Sequence, residues 1–445
     1  MREKVPIAAT VRKPENTNAE EEAALHLPYR QDLSAAGLDA ATLAAQAEML
    51  ASVLDRLRTA PPVQAAAIFA TVQEDGLADL VKRAEQWRAE YKHLVVIGAG
   101  GSGLSAQALS LLKPVSRRSG DSRLLHVLDN LDPPLLEALV HELPLHDTCF
   151  LAVSKSGRTV ETYAQTLLLL AQLKQQGVQD IHRRFLAITA PGDNPLRALA
   201  DAHGVEVMAH DPDLGGRFSI LSAAGVIPAA FMGIDARRLR AGAAAALRAN
   251  LASCQAPAAL GAIVQVAHMR QGRNISVLLS YSAQLWGLAL WWRQSWAESL
   301  GKNGQGSTPL AALGPVDQHS QLQLWLDGPE GKFYTVLSAA SPAGAIYPEI
   351  PLPEVHAPFA HLSGRHLSDI VEAQRRATEE TLARYGRPLR RMHVPRLDEY
   401  ALGALIMHFT LEILLSAALL GVNPFDQPAV EESKRLAHAY LTGKI

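Results

Sequence analysis

Two loops in the first half of the chain carry residues suited to binding a phosphate group. The first lies in VVIGAGGSG at 95–103, where Gly98, Gly100 and Gly103 follow an apolar run. Free backbone amides at such a strand-to-helix turn favour an anion. The G-x-G-x-x-G pattern is also that of a dinucleotide-binding turn, and Asp129 follows 26 residues after Gly103, near where a ribose-binding carboxylate is expected. This loop therefore predicts an anion site but leaves a dinucleotide and a smaller phosphate open as its occupant.

The second loop, SKSGRTVET at 154–162, is rich in hydroxyl groups. Its candidate phosphate ligands are Ser154, Lys155, Ser156, Thr159 and Thr162. A single hydroxyl residue at a helix start is usually only a cap, but four with a lysine at the end of a predicted parallel strand favour a ligand site. We expect the two loops to hold one phosphate together, with Gly101 and Ser102 contributing from the first loop.

The elements that position these loops predict an α/β fold with two doubly wound parallel sheets. Residues 91–235 alternate five short apolar strands with helices, which implies parallel pairing and right-handed crossovers. Before them, residues 1–25 are predicted as a loose arm, and 37–58 and 63–90 have helical periodicity. We therefore divide the chain into an arm with helices at 1–90, a phosphate-binding domain at 91–235 and a second domain at 236–445.

The second domain is predicted to be α/β with additional helices. A strand is expected at 274–282, followed by a helix at 283–300. The segments QLQLWLDG and KFYTVLSA are expected to form two strands joined at Asp327-Gly328-Pro329. A long apolar helix at 398–421 and a short helix at 428–441 complete the prediction.

The composition excludes several classes of protein. Lys and Arg number 42 against 44 Asp and Glu, so nothing indicates binding to nucleic acid or to an anionic membrane. The sequence has only two cysteines, Cys149 and Cys254, which favours a reducing cytoplasm. Neither lies in a C-x-x-C motif, which disfavours a zinc site built on them. The first residues lack the apolar core of a secretory signal. The apolar run 409–422 is predicted as a buried helix, and His408 with Glu412 as a buried polar pair rather than a metal site.

Six segments, occurring in the same order, resemble the glucose-6-phosphate isomerase family in a compact bacterial form. They are IGAGGS, SKSGRTVET, the DLGGRFS run from 213, WAESLGK at 296–302, DQHSQLQLWLDGP at 317–329 and GVNPFDQPAVEESK at 421–434. The resemblance covers about 90–440 and implies two domains of the sugar-isomerase (SIS) type. Arg158 departs from the family pattern, which usually has a small or apolar residue at that position. Its presence in the second loop could change affinity or admit a different sugar phosphate.

The implied reaction interconverts glucose 6-phosphate and fructose 6-phosphate by moving a proton between C1 and C2 of the open-chain sugar. It needs neither a redox cofactor nor a metal. Glu298 is the expected base, because a carboxylate can take a proton from one carbon and return it to the next. Gln294 lies four residues earlier on the same helix face. Arg217 is expected to stabilise the enediolate with a permanent positive charge.

The resemblance also implies a second acid–base group and a second subunit. His319, assisted by Lys434, is expected to open the sugar ring, since imidazole titrates near neutral pH. Gln427 is expected to contact sugar or phosphate oxygens. By analogy with the family, His319 enters the active site of the partner subunit, so the active form is expected to be a homodimer.

Three other functions compete with this interpretation. A broader isomerase that also accepts mannose 6-phosphate shares every feature named so far. A non-catalytic sugar-phosphate sensor would need the two loops but not Glu298 and His319. An NAD-dependent dehydrogenase would explain the first loop but would leave SKSGRTVET without a role.

Overall fold

The computed structural model describes residues 27–112, 123–340, 349–350 and 357–444, and it confirms the predicted α/β class with two sheets. The predicted arm at 1–25 lies outside these residues. The strands are β1 Arg30–Asp32, β2 His93–Ile97, β3 Leu124–Leu128, β4 Thr148–Val153, β5 Phe185–Thr189, β6 Glu206–Ala209, β7 Ile275–Ser280, β8 Thr308–Leu313, β9 Lys332–Ala339 and β10 Leu389–Val394.

The helices surround these strands. They are α1 Ala40–Glu48, α2 Ala51–Thr59, α3 Val63–Ala70, α4 Leu77–Glu90, α5 Gly101–Ser110, α6 Pro133–Glu142, α7 Val160–Gln175, α8 Ile181–Arg184, α9 Pro195–Ala202, α10 Ala223–Phe231, α11 Ala236–Leu251, α12 Pro257–Arg270, α13 Trp286–Leu300, α14 Val316–Ser320, α15 Leu322–Asp327, α16 Leu367–Arg384, α17 Glu399–Leu420 and α18 Glu431–Leu441. Short 3-10 helices lie at Leu145–Asp147, Gly216–Leu221, Ala283–Leu285, Ala357–Leu362 and Pro428–Val430.

The first sheet is parallel throughout and has the strand order β3-β2-β4-β5-β6. Successive residues of its strands pack into cores on opposite faces: Ile97 lies on one side and Val96 on the other. Such coverage of both faces is typical of a doubly wound sheet. The strand order reverses between β2 and β4, and this switch point is where ligands bind in open α/β sheets. The two predicted phosphate loops follow these two strands.

The second sheet has the order β1-β10-β9-β7-β8, and only the edge strand β1 is antiparallel. The prediction of a strand for QLQLWLDG is wrong, because these residues form α15. Leu322, Trp325 and Leu326 have the i, i+3, i+4 spacing of a helix face and pack into one core beneath β9, where Trp325 meets Tyr334 edge-on. The predicted strand KFYTVLSA is confirmed as β9. The sequence did not predict β1, β8 or β10.

The helical segments near the start of the second half and at the end of the chain agree with prediction. The predicted helices at 283–300, 398–421 and 428–441 correspond to α13, α17 and α18. The segment 37–58 forms α1 and α2, and 63–90 forms α3 and α4, so each predicted helix is divided in two. The proposed division of the chain at residues 90 and 235 stays a prediction.

Helix α17 is the central helix of the second half. It is long and apolar enough to span a membrane, yet 89% of its apolar window is buried within the fold. The carboxylate of Asp398 accepts from the amide of Ala401 to begin the helix, and Gly421 ends it with φ 68°. Its buried location agrees with the prediction for 409–422.

The polar pair on α17 is buried as predicted and has a third member. His408 Nε2 lies 3.0 Å from Glu412 Oε2, and Arg390 of β10 donates to both carboxylate oxygens at 2.7 and 2.9 Å. All three side chains are buried, and Tyr29 Oη lies 2.9 Å from His408 Nδ1. The network therefore ties the residue just before β1 to α17 and to β10.

Candidate active site

The first phosphate loop turns from β2 into α5 between Ile97 and Gly101. A Cβ on Gly101 would overlap the backbone of Gly216, so only glycine permits this contact. Ser102 is buried in the first turn of the helix. The start of α5 is thus closed on one side by the protein's own backbone, which favours a small anion over a dinucleotide. The Cβ of Asp129 lies against Gly103, where an added Cβ would come within 2.6 Å of it.

The second phosphate loop follows β4, which is the neighbour of β2 in the sheet. Ser154 Oγ lies 2.9 Å from Thr159 Oγ1, and the amide of Arg158 donates to Ser156 Oγ at 3.1 Å. Thr162 Oγ1 is buried and has no hydrogen-bond partner among the described residues. The adjacency of the two strands places both loops at one edge of the sheet, as predicted from the sequence.

Lys155 is the cation of this loop. Burial lowers the pKa of Lys155, while the nearby carboxylates of Asp213 and Asp211 act in the opposite direction. The loop keeps its shape through Gly157, which has φ 62° and would overlap Asn194 if it carried a Cβ. The second loop therefore combines hydroxyl donors with a partly desolvated ammonium, a combination suited to a phosphate.

Arg217 lies between the two halves of the molecule and is almost completely buried. Its Nε donates to Ser299 Oγ at 2.9 Å, and its NH1 group donates to Glu298 Oε2 at 3.0 Å and to Gln427 Oε1 at 2.8 Å. Its NH2 group donates to the carbonyl oxygens of Pro424 at 2.5 Å and Asp426 at 3.2 Å. These contacts use all five N–H groups of a guanidinium. Burial lowers the pKa of Arg217, and the neighbouring charge of Glu298 opposes that effect.

Glu298 and Gln294 project from the last turns of α13, one helical turn apart. Gln294 Nε2 donates to Glu298 Oε1 at 2.7 Å, while Arg217 holds Oε2. Glu298 remains one-third exposed, and Gln294 Oε1 is buried with no hydrogen-bond partner in the described chain. A carboxylate fixed from both sides but still open to solvent is suited to exchanging protons with a bound molecule.

Helix α13 also brings these residues to the first phosphate loop. It packs against α5, and Gln294 Nε2 would lie 3.0 Å from a Cβ placed on Gly100. The carboxylate-bearing helix and the first loop are therefore direct neighbours, although nearly 200 residues separate them in sequence.

A cavity of about 700 Å³ opens beside Glu298. Its other walls include Lys302 and the segment 423–430, which contains Gln427. Of the predicted site positions, Glu298 and Gln427 line this cavity. Arg217, Gln294 and the start of α5 are joined to these two residues by the contacts described above. The volume lies in the range typical of small-molecule sites.

His319 and Lys434 are not among the residues lining this cavity. Lys434 is exposed on α18 and pairs with Glu431 at 2.6 Å. His319 is exposed on α14, after the carboxyl end of β8, whereas Glu298 lies near the end of α13, just before β8 begins. The six residues of β8 span about 20 Å, so His319 and Glu298 lie at opposite edges of the second sheet.

Two residues near the cavity had no predicted role. Ser299 accepts from Arg217 Nε, and Lys302 forms an ion pair with Asp426 at 3.0 Å. Both belong to the WAESLGK segment, so the signal was present in the sequence, but their partners lie 82 and 124 residues away. Among the described residues no group of three or more His, Cys, Asp or Glu is arranged to hold a metal ion.

The fold and the site define an α/β protein with two sheets, in which a fixed carboxylate and guanidinium lie next to a cavity and to a glycine-rich strand-to-helix turn. A family model described as phosphoglucose isomerase matches residues 81–313. A probable glucose-6-phosphate isomerase of Natronomonas pharaonis is 37% identical over 352 residues, 79% of each chain. The chain therefore belongs to the phosphoglucose isomerase family, and the resemblance found in the sequence is confirmed.

Further relatives support the same assignment. The glucose-6-phosphate isomerase of Carboxydothermus hydrogenoformans is 34% identical over 386 residues, covering 83% of this chain and 82% of that protein. A solved structure of a hypothetical protein from Thermus thermophilus is 31% identical with a TM-score of 0.85, covering 93% of this chain and 99% of that one. The similarity therefore extends over most of the chain, including both sheets.

Proposed function

We propose that this protein catalyses the reversible isomerisation of glucose 6-phosphate and fructose 6-phosphate through an enediolate. The family assignment and the names of its relatives support this reaction. The observation that carries it is Glu298, held between Arg217 and Gln294 while still open to the cavity. A sensor that only binds sugar phosphate has no need of a carboxylate fixed in this way.

In this mechanism the two loops after β2 and β4 anchor the phosphate. Their contacts come from Gly101, Ser102, Ser154, Lys155, Ser156, Thr159 and Thr162. The free hydroxyl of Thr162 and the burial-lowered pKa of Lys155 support a site that completes its hydrogen bonds with a ligand. Anchoring the phosphate at one end lets the other end of the six-carbon chain extend toward Glu298.

The carboxylate of Glu298 takes the proton from C2 of the open-chain aldose and returns it to C1. The electron pair of the broken C–H bond forms the carbon–carbon double bond of the enediolate, and the carbonyl oxygen receives negative charge. Arg217 stabilises that charge through its NH1 group. Gln294 and Gln427 are assigned to the sugar hydroxyls; the unpartnered Oε1 of Gln294 and the contact of Gln427 with Arg217 support this assignment. As C1 is protonated, the proton of the C2 hydroxyl passes to the C1 oxygen, so that C2 becomes the ketone and C1 the alcohol. Because C2 is oxidised and C1 is reduced within one molecule, the reaction needs no external oxidant or reductant.

His319 and Lys434 are assigned to ring opening, and His319 is assigned to the active site of a partner subunit. The supporting observation is that, within one chain, His319 is exposed and lies at the opposite edge of the second sheet from Glu298. A homodimer supplies it from a second copy, and α18 carries Lys434 on the surface, where a partner can contact it. The free thiols Cys149 and Cys254 suit a cytoplasmic location.

The proposal is tested by incubating the purified chain with fructose 6-phosphate and EDTA, without added cofactor, and following the sugar by NMR. Glucose 6-phosphate should appear at an enzymatic rate; its failure to appear refutes the isomerase function. Mannose 6-phosphate, assayed in parallel, decides between a narrow and a broad specificity. Dependence of turnover on added NAD would instead favour the dehydrogenase interpretation.

The Glu298→Gln variant tests the assignment of the base. It keeps the size and hydrogen-bonding capacity of the side chain but cannot accept a proton, so turnover should fall by at least about 1,000-fold while fructose 6-phosphate still binds. Glu380→Gln, an exposed helical glutamate paired with Arg384, is the matched control and should retain wild-type turnover. Comparable activity in Glu298→Gln and the control would exclude Glu298 as the base.

A further inference from the structure

Lys302 lies four residues after Glu298, just beyond the end of α13, and is a lysine that lines the cavity. Only 11% of its side chain is exposed, although its partner Asp426 is 52% exposed. Its Nζ donates to the carbonyl oxygen of Ser299 at 3.2 Å and also to that of Asn423, in addition to the 3.0 Å ion pair with Asp426. All three acceptors border the catalytic residues.

The segment Asn423–Gln427, here called the C-terminal loop, is held by two cations. Arg217 holds it through the carbonyl oxygens of Pro424 and Asp426 and through the Gln427 side chain. Lys302 holds it through the Asn423 carbonyl and the Asp426 carboxylate. The loop therefore joins the guanidinium proposed to stabilise the enediolate to the helix that carries the base.

We propose that Lys302 and Asp426 form a positioning pair that fixes the C-terminal loop against α13 and thereby aligns Arg217 with Glu298. This inference rests on the proposed isomerase function. Lys302 acts through the loop, and its ammonium is fully engaged by protein oxygens rather than by the substrate. A misplacement of about 1 Å between reacting groups can cost up to about 100-fold in rate, so a small shift of the loop is sufficient to matter.

The electrostatics of the pair agree with this role. Burial lowers the pKa of Lys302, and the hydrogen bond from Lys302 lowers the pKa of Asp426. An exposed ion pair contributes little to stability, but here one partner is largely removed from water and also bonds two carbonyl oxygens. Loss of the Asp426 carboxylate would leave the buried ammonium with only those neutral acceptors.

A direct contact between Lys302 and the sugar is the competing explanation, because Lys302 also lines the cavity. The two explanations differ in what Asp426 does. A positioning pair requires both members, so that the two single variants and the double variant show similar losses. A substrate contact requires Lys302 alone, and its removal should weaken binding of the sugar phosphate.

The experiment compares Lys302→Met, Lys302→Arg, Asp426→Asn and the double variant Lys302→Met/Asp426→Asn with the wild-type chain. Each is measured for kcat and KM with fructose 6-phosphate, and for binding of 6-phosphogluconate, whose C1 carboxylate carries charge where the enediolate develops it. Arg384→Met, at a position 79% exposed, is the surface control. Unfolding midpoints are recorded to show that all variants are folded.

For a positioning pair, Lys302→Met and Asp426→Asn should each lower kcat about tenfold and leave KM within about twofold. The kcat of the double variant should be no lower than that of the more impaired single variant, and Lys302→Arg should recover most of kcat. The impaired variants should bind 6-phosphogluconate about tenfold more weakly than the wild type. A raised KM in Lys302→Met with normal Asp426→Asn overturns the inference in favour of direct contact. Wild-type kcat in both single variants also overturns it, as does a lowered unfolding midpoint with unchanged kcat.

Failure of the proposed function would give a different result. It would leave the wild-type chain without turnover of fructose 6-phosphate, whatever residue stands at 302. Failure of the positioning inference alone leaves wild-type turnover intact, and the variants then show one of the overturning patterns described above.

Discussion

Replacing Gly261 with alanine should destabilise the protein, although the same change in a helix normally stabilises it. Gly261 lies inside α12, where alanine is favoured over glycine by about 1 kcal/mol. However, a Cβ at this position would overlap Arg390 NH1 and would lie 2.6 Å from Glu412 Oε2. Arg390 and Glu412 are both fully buried and bonded to each other, so neither side chain can move into solvent.

The net effect follows from these opposing contributions. Overpacking a buried site costs about 1–3 kcal/mol, and breaking a buried ion pair costs about 3–5 kcal/mol. If the new methyl group only partly separates the pair, the combined cost is about 3 kcal/mol or more, which exceeds the gain in helix propensity. The free energy of unfolding should therefore fall by about 2 kcal/mol or more.

Urea unfolding followed by tryptophan fluorescence measures this change, since four of the six tryptophans lie on α13. Gly331→Ala is the control, because a Cβ there meets no atom within 4 Å and its backbone has no positive φ. That variant should unfold at the wild-type urea concentration. A Gly261→Ala midpoint equal to or above that of the wild type would refute the claim that the Arg390–Glu412 pair is rigidly packed against α12.

Two further predictions concern acid stability and subunit cooperation. Burial raises the pKa of Glu412, but the charge of Arg390 and the hydrogen bond from His408 outweigh it and lower the value from 4.5 to about 2. Between pH 4.5 and 2 the unfolded chain therefore binds more protons than the folded one, so about 3 kcal/mol of stability should be lost as the pH falls through this range. Glu412→Gln should remove this dependence. Equal slopes of urea midpoint against pH in the wild type and in Glu412→Gln would contradict the prediction. If His319 serves the partner subunit, co-expressed Glu298→Gln and His319→Ala chains should recover about a quarter of wild-type activity. Half of randomly formed dimers contain both variants, and one of the two sites in each of these is intact. An inactive mixture would contradict the shared site.

The parts of the fold that could be predicted are those whose signals are local. The two predicted phosphate loops combine an apolar strand with glycine or hydroxyl residues in a few adjacent positions, and both lie at strand-to-helix turns as expected. Their binding of phosphate stays a prediction. β10 was missed because LRRMHV contains two arginines, and the buried Arg390 is compensated by its ion pair with Glu412, which lies in a distant part of the sequence. β1 has the sequence RQD and no apolar alternation, so only its pairing with β10 defines it as a strand.

The error at α15 has a similar origin. Leu322, Leu324 and Leu326 occupy every second position and suggest one face of a strand. In the structure, however, Trp325 is the most deeply buried residue of the segment and Leu324 is half exposed. Burial thus follows the helical period rather than the alternating one. The contacts of Arg217 with Glu298 and Gln427 could not be predicted from local sequence patterns either, since they join residues 81 and 210 positions apart.

The contact between Arg217 and Glu298 has a consequence for the proposed reaction. At rest, the guanidinium faces the negative charge of the Glu298 carboxylate at 3.0 Å. When Glu298 accepts the proton, that charge moves to the enediolate oxygen, and the NH1 group released from the neutral carboxyl can donate to it. Arg217 therefore remains beside a single negative charge throughout proton transfer. The other N–H groups of Arg217 stay bonded to Ser299 and the C-terminal loop, so the guanidinium keeps its position while the negative charge passes from Glu298 to the enediolate oxygen. Little reorganisation of the protein is therefore required.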